Sequence, residues 1–258
     1  MVILLKSLFV LAGIVILILL AFRMKSDKAV MAALPDNYKE ILERYVQFYR
    51  QLDEMRKREF EKRVEQFLLD VKITGVNAVV EEIDLLLIAS GAIIPVFSFP
   101  DWRYINLHEV LLYPGTFNRD YDQVGESRSI SGMVGTGPMQ HKMILTKWQV
   151  RQGFINNNDA NNTAIHEFAH LVDKMDGTFD GVPEIILERK YVKEWRQLME
   201  KTIHHMKTHG SDINMYGATN PVEFFAVISE YFFEQPALLK THHPDLYSML
   251  TRIYKIEL

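Results

Sequence analysis

Residues 162–177, NTAIHEFAHLVDKMDG, place two histidines four apart with a glutamate directly after the first. On an α-helix, residues four apart lie on one face a turn from each other, so His166 and His170 can share a cation. Glu167 is displaced by about 100° around the axis, too far to join them as a ligand but placed to reach a water on the ion. Zinc hydrolysis needs this division of labour: neutral imidazoles hold the ion, the ion acidifies its water, and a carboxylate takes the proton. Ile165, Phe168, Ala169 and Val172 give the helix an apolar surface to bury, and Asn161, Asn162 and Thr163 offer N-caps. The competing reading is a partly exposed helix that carries three polar residues and needs no partner elsewhere in the chain.

A catalytic zinc site wants a third protein ligand and an open position. NPVEFFAVISEYFFEQP (220–236) carries Glu223 and Glu230, seven apart and therefore on nearly one face of a helix otherwise crowded with Phe and Val. Spacing leaves the ligand role evenly open between them. Glu223 also reads as the N3 residue of a capping signature with Asn220 as N-cap and Pro221 at N1, and Glu230 as a solvated surface carboxylate. Asp173, three residues after His170 on the same face, is a further contender for the ligand role, although orienting a ligand's second ring nitrogen is the more ordinary task of such a carboxylate. His204, His205, His209, His242 and His243 read as exposed helix-end residues.

The chain has 258 residues, 48% hydrophobic and 24% charged, an ordinary globular balance. A net charge of −4 without a long Lys/Arg run argues against a nucleic-acid partner. There is no cysteine, which excludes a disulfide scaffold and thiolate zinc ligands, so His, Asp or Glu must hold any metal. Residues 2–22, VILLKSLFVLAGIVILILLAF, are apolar except for Lys6 and Ser7. As a helix they reach about 31 Å, enough to span a bilayer's hydrocarbon core. Arg23 and Lys25 stand where a signal peptide's small-residue cleavage site belongs, so an uncleaved single-pass anchor is expected. Arg23, Lys25 and Lys28 then place the catalytic part in the cytoplasm by the positive-inside rule. Residues 23–36 read as a linker and 37–258 as the catalytic domain.

Along that domain the periodicity predicts one long helix from Asn37 to about Asp70, with Asp36 as cap and Ile41, Tyr45, Phe48, Leu52 and Met55 on its apolar face. LLLIASGAIIPVFSF (85–99) is too short for a second span and reads as a core helix running into a strand. Short strands are expected at 72–77, 104–114 and 142–148, and a loop at 115–141. Helices follow at the His166 segment, about 184–207, about 220–234, and from 236 onward. The fold class is α+β, mostly helical with a small central sheet.

HEFAHLVDKMDGTFDGVP (166–183), FPDWRYINLHEVLLYPGTF (99–117) and the 220–236 stretch together resemble the Mlc titration factor A family of zinc metallopeptidases, whose core is similar to the peptidase domain of anthrax lethal factor. The resemblance covers about residues 40–250. It implies a zincin-like domain of the gluzincin kind with one zinc ion on His166, His170 and Glu223, and with Glu167 as catalytic base. It also implies a tyrosine seven residues before the ligand glutamate that stabilises the transition state. Tyr216 matches, and that match selects Glu223 over Glu230. A peptide or protein substrate, with aminopeptidase-like action, follows from the same likeness. So does an alternative: a regulatory protein that sequesters a transcriptional regulator, with zinc mainly structural. The apolar segment 2–22 departs from the family's soluble named member and points to a membrane-anchored peptidase. The strand at 142–146 is the expected place for substrate backbone to add to the sheet.

Overall fold

The computed structural model describes residues 34–125, 127–135, 137–156 and 160–258. The expected span at 2–22 and nearly all of the linker 23–36 lie outside the described residues. Among the described residues no helix is long and apolar enough to cross a membrane.

Where periodicity suggested one long helix, the chain forms three: α1 (Tyr38–Tyr45), α2 (Gln47–Arg50) and α3 (Glu54–Asp70). Val46 adopts an extended conformation and ends α1. Asp53, rather than Asp36, supplies the side-chain cap: its Oδ1 accepts the Met55 and Arg56 N–H groups at 3.0 and 2.8 Å and restarts the helix. The break shifts the apolar register, so Phe48 and Leu52 are buried while Met55 is 70% exposed. After β1 (Lys72–Gly75) comes α4 (Glu82–Ile93), buried along nearly its whole length. It ends in a 3-10 turn, Ile94–Val96, and not in the expected strand. Pro95 explains this, since it has no N–H for a sheet ladder.

β2 (Glu109–Tyr113) and β4 (Lys142–Thr146) form within the expected stretches, and β3 (Gly132–Val134) forms inside the expected loop. Three residues are too few for a period-two signal, which is why β3 escapes the sequence. The sheet order is β1-β2-β4-β3, parallel except for the antiparallel β3·β4 pair. β4 runs directly into α5 (Lys147–Ile155), which the periodicity did not separate. α6 (Thr163–Asp173), α7 (Arg189–His209), α8 (Pro221–Glu234), α9 (Pro236–His242) and α10 (Pro244–Tyr254) complete the chain. The expected final helix is thus two, because Pro244 starts a new one at its first turn. The architecture is the α+β fold anticipated, mostly helical around a four-stranded sheet.

One apolar core joins α1 through α10. Phe168 of α6 sits inside it, its ring 5.6 Å from that of Phe67 and 5.2 Å from Tyr104. Trp195 of α7 packs on Phe224 and Phe225 of α8 at 6.1 and 6.2 Å. Buried Asp84 of α4 pairs with Arg151 Nε at 2.7 Å and Lys147 Nζ at 3.2 Å, fastening α5 to α4. The segment after α7 is held by Asp212, whose carboxylate accepts from Tyr231 (2.6 Å), His242 Nδ1 (2.8 Å) and His243 Nε2 (2.7 Å). Partial burial works against the charge on Asp212, but these three donors outweigh it and hold its carboxyl well below its ordinary 3.8.

Two expectations follow. Phe168→Ala opens a cavity under α6 and lowers unfolding free energy by about 3–5 kcal/mol, read from urea denaturation. Because the folded pKa of Asp212 is depressed, its stabilisation is complete above the unfolded value near 3.8 and fades as pH falls below it. Asp212→Asn should therefore lower Tm at pH 7, and that gap to wild type should narrow in scans taken below pH 3.8.

Candidate functional site

Asn162 starts α6 by accepting the Ile165 N–H at 3.2 Å. Burial of Ile165, Phe168, Ala169 and Val172 in the core leaves His166 and His170 facing α8. Across that crossing, Glu223 Oε2 lies 3.1 Å from His166 Nε2 and 3.3 Å from His170 Nε2. The two imidazoles stand nearly perpendicular with centroids 4.6 Å apart. One donor atom from each of the three residues lies within 4.8 Å of the others, and among the described residues no other such group occurs.

This donor set fits a zinc ion. Ligands about 2.1 Å from a tetrahedral centre are about 3.4 Å from one another, close to the two spacings measured here. Two imidazole nitrogens and one carboxylate oxygen are the ligand types of three-ligand catalytic sites. The capping and ligand readings of Glu223 both hold, and for one reason. Asn220 Oδ1 accepts the Glu223 N–H at 3.0 Å, and that cap places the glutamate in the first turn of α8, opposite α6.

Glu230 has a different task. It is buried, its Oε1 lies 2.7 Å from His166 Nδ1, and its Oε2 accepts the Asn162 N–H at 2.6 Å. It is no solvated carboxylate: it orients His166 and anchors the start of α6. Burial opposes charge on His166, but Glu230 and Glu223 outweigh it and hold the ring's pKa well above its ordinary value. Burial lowers that of His170. Glu223 is held far below the usual carboxylate range because the bonds from His166 and His170 overcome the cost of its burial.

Asp173 departs from expectation. Its Oδ2 accepts the Gly181 N–H at 2.9 Å, and neither its Oδ1 nor His170 Nδ1, both buried, has a hydrogen-bond partner. As the last residue of α6 it turns toward the following loop, and burial lifts its carboxyl to about 7.

Glu167 is buried against β3. A Cβ added at Gly132 would fall 2.6 Å from Glu167 Oε1, so only glycine lets the strand approach the carboxylate this closely. Burial lifts Glu167 to about 7, with Glu223 and Glu230 pushing the same way, while His166 and the Val134 N–H pull it back. Tyr216 lies on a 3-10 turn, Met215–Ala218, fixed by Asn214 Oδ1 accepting the Tyr216 N–H at 3.0 Å. Its ring is 6.0 Å from that of His166 and is 53% exposed, so it is not a buried aromatic. Partial burial and the Glu223 carboxylate push its phenol up to about 12.

The five residues singled out in the sequence thus lie together. The expected place for substrate backbone fails: β4 has neighbours on both sides, and the sheet edge beside Glu167 is β3. His205 and His209 are exposed near the end of α7 and outside the cluster, as expected. Gly132 was missed; its one sequence signal was a glycine in an aperiodic stretch.

The profile of the family described as glucose-regulated metallo-peptidase M90 matches residues 21–255. The protein slr2042 of Synechocystis sp. is 30% identical over 87% of this chain and 85% of its own. Mlc titration factor A of Pectobacterium atrosepticum is 32% identical over 63% of this chain and 64% of its own. That of Yersinia pestis is 32% identical over 57% and 58%. The matches to these two factors span less than two thirds of their length.

Glu230→Ala leaves the Asn162 N–H and His166 Nδ1 buried without their acceptor. We expect unfolding free energy to fall by about 2–4 kcal/mol and zinc affinity by about 10–100-fold, measured by denaturation and by competition with a chromogenic chelator.

Proposed function

The chain belongs to the glucose-regulated metallo-peptidase M90 family, and from that premise we propose that it hydrolyses peptide bonds with one zinc ion per chain. The observation that carries this reading is the meeting of His166, His170 and Glu223 beside the buried Glu167 carboxylate.

His166 Nε2, His170 Nε2 and a Glu223 oxygen would hold the ion. Bound there, zinc supplies a Lewis acid for the scissile carbonyl and lowers the pKa of water. Glu167 takes the proton from that water and passes it to the leaving amine nitrogen. Burial raises its carboxyl, which strengthens it as a proton acceptor beside the ion. Tyr216 keeps its phenolic proton, being pushed up to about 12, and donates it as a hydrogen bond to the developing oxyanion. Glu230 holds the His166 ring in place through Nδ1.

The substrate backbone runs along β3. Ser131 O and Gly135 N bond to β4, so the intervening Gly132 and Val134 backbones face away from it, at the sheet edge. The missing side chain at Gly132 keeps that edge close to Glu167. Residues 2–22 would tether the enzyme to a membrane as a single span, with the catalytic domain on the cytoplasmic side, and so restrict it to substrates near that surface.

A second reading has its own support. Relatives carry the name Mlc titration factor A, which describes the sequestering of a regulator, so the chain would bind a regulatory protein and use zinc for structure. A purely structural site has no need of Glu167 or of an open fourth position, which favours hydrolysis.

Glu167→Gln separates the two. In the peptidase it keeps stoichiometric zinc and lowers kcat by about 10²–10⁴-fold. Tyr216→Phe lowers kcat by about 10²-fold with little change in KM. Chelator abolishes hydrolysis and added zinc restores it. A wild-type chain that binds zinc yet cleaves no member of a peptide library would leave only the binding reading.

A further inference from the structure

Two large aromatic side chains that meet the histidines stand half exposed: Phe179 (49%) and Tyr216 (53%). The Phe179 ring meets His170 edge-on, centroids 5.5 Å apart. Tyr216 lies against His166, and His166 against His170, so four rings connect in succession from Phe179 at one end to Tyr216 at the other. A substrate seated at the cluster would have the Phe179 ring beside it on the His170 side.

The backbone that presents Phe179 is fastened on both sides. Before it, Asp176 Oδ1 accepts the Thr178 N–H at 2.9 Å and Asp176 Oδ2 accepts the Glu184 N–H at 2.9 Å. After it, Asp180 pairs with Arg196 of α7 at 2.7 Å, and Trp195 Nε1 donates to Gly181 O at 2.7 Å. Gly181 also donates to Asp173 of α6, adopts φ +78°, and lies so close to α8 that a Cβ there would fall 2.3 Å from Pro221 O. The loop is therefore tied at once to the histidine helix, to α7, and to the turn that bears Glu223. Fastening of this kind removes the freedom by which an exposed aromatic would bury itself. A rigid, half-open aromatic beside a reaction centre is the arrangement that discriminates among substrate side chains.

We propose that Phe179 is a specificity-determining residue that selects peptides with a large apolar side chain, such as Phe, Leu or Met, on a residue flanking the scissile bond. This rests on the peptidase reading above. The ring contributes a surface and takes no part in the chemistry. Its effect is on the difference in affinity between an apolar side chain and a small one at the same position.

The test uses the full-length, zinc-loaded protein and matched peptides that carry Phe or Ala at each position flanking the cleaved bond. Wild type should prefer the Phe peptide by about 10–200-fold in kcat/KM at one of these positions. Phe179→Ala should shrink that preference at least tenfold beyond any change on the Ala peptide, and Phe179→Leu should recover most of it, with zinc content held at one per chain. A second measurement needs no turnover. In a Glu167→Gln background, Phe179→Ala should raise the calorimetric Kd of the Phe peptide about tenfold more than that of the Ala peptide. Equal losses on both peptides, or an unchanged preference, would overturn the proposal and make Phe179 a support for His170. If wild type cleaves neither peptide, the peptidase reading fails, and the binding comparison still decides whether Phe179 selects apolar side chains.

Discussion

Two helices that are buried along most of their length have to satisfy their polar groups against each other, and the crossing of α6 with α8 does this. α8 is buried from Phe224 to Glu234 and α6 at all but one of its residues, yet between them they carry two imidazoles and five carboxylates. An ion taken out of water without a partner costs several kcal/mol, so the crossing depends on the matching of most of these groups, with His170 Nδ1 and Asp173 Oδ1 as exceptions. Glu223 lies against both Nε2 atoms, Glu230 against Nδ1 and the first backbone N–H before α6, and Glu167 against the Val134 N–H. The same matching that makes burial tolerable leaves three donors converging on one point. Folding and metal chemistry draw on a single set of contacts.

Around that crossing each side chain of the candidate site is held by a different element, and each holder is itself pinned. A capped first turn carries Glu223, an Asn-capped 3-10 turn carries Tyr216, a sheet edge confines Glu167, and a loop fastened to three helices presents Phe179. Asp212 anchors the segment that leads into the Tyr216 turn by gathering Tyr231, His242 and His243. Side chains so supported lose little entropy when a substrate arrives, which is the condition for precise positioning.

The elements visible in the sequence were those with long, one-sided periodicity or strong caps, such as α6, α8 with Asn220-Pro221, and the β2 and β4 stretches. The breaks at Val46 and Asp53 were hidden because apolar spacing continued through them, and only the packing of α1 to α3 turned Met55 outward. β3 was hidden by its brevity. α5 was masked by a strand pattern that runs without a break into its first residues. Asp173 misled because its position on the helix face was right while its side chain went to the Gly181 N–H instead of a ring nitrogen.

Helical geometry is local, so the sequence alone determined that His166 and His170 share a face with Glu167 set to one side. It also placed Glu223 and Glu230 together on a second helix, and the spacing of Tyr216 to Glu223 in a resembling family suggested which of the two meets the histidines. Only the tertiary structure decided that both do so, one at Nε2 and the other at Nδ1, and that β3 rather than β4 is the sheet edge beside Glu167. Residues seven apart on a helix are equivalent until another helix crosses them at a definite height and angle. That crossing is set by the packing of the whole core, more than fifty residues away in the chain, and no local pattern encodes it.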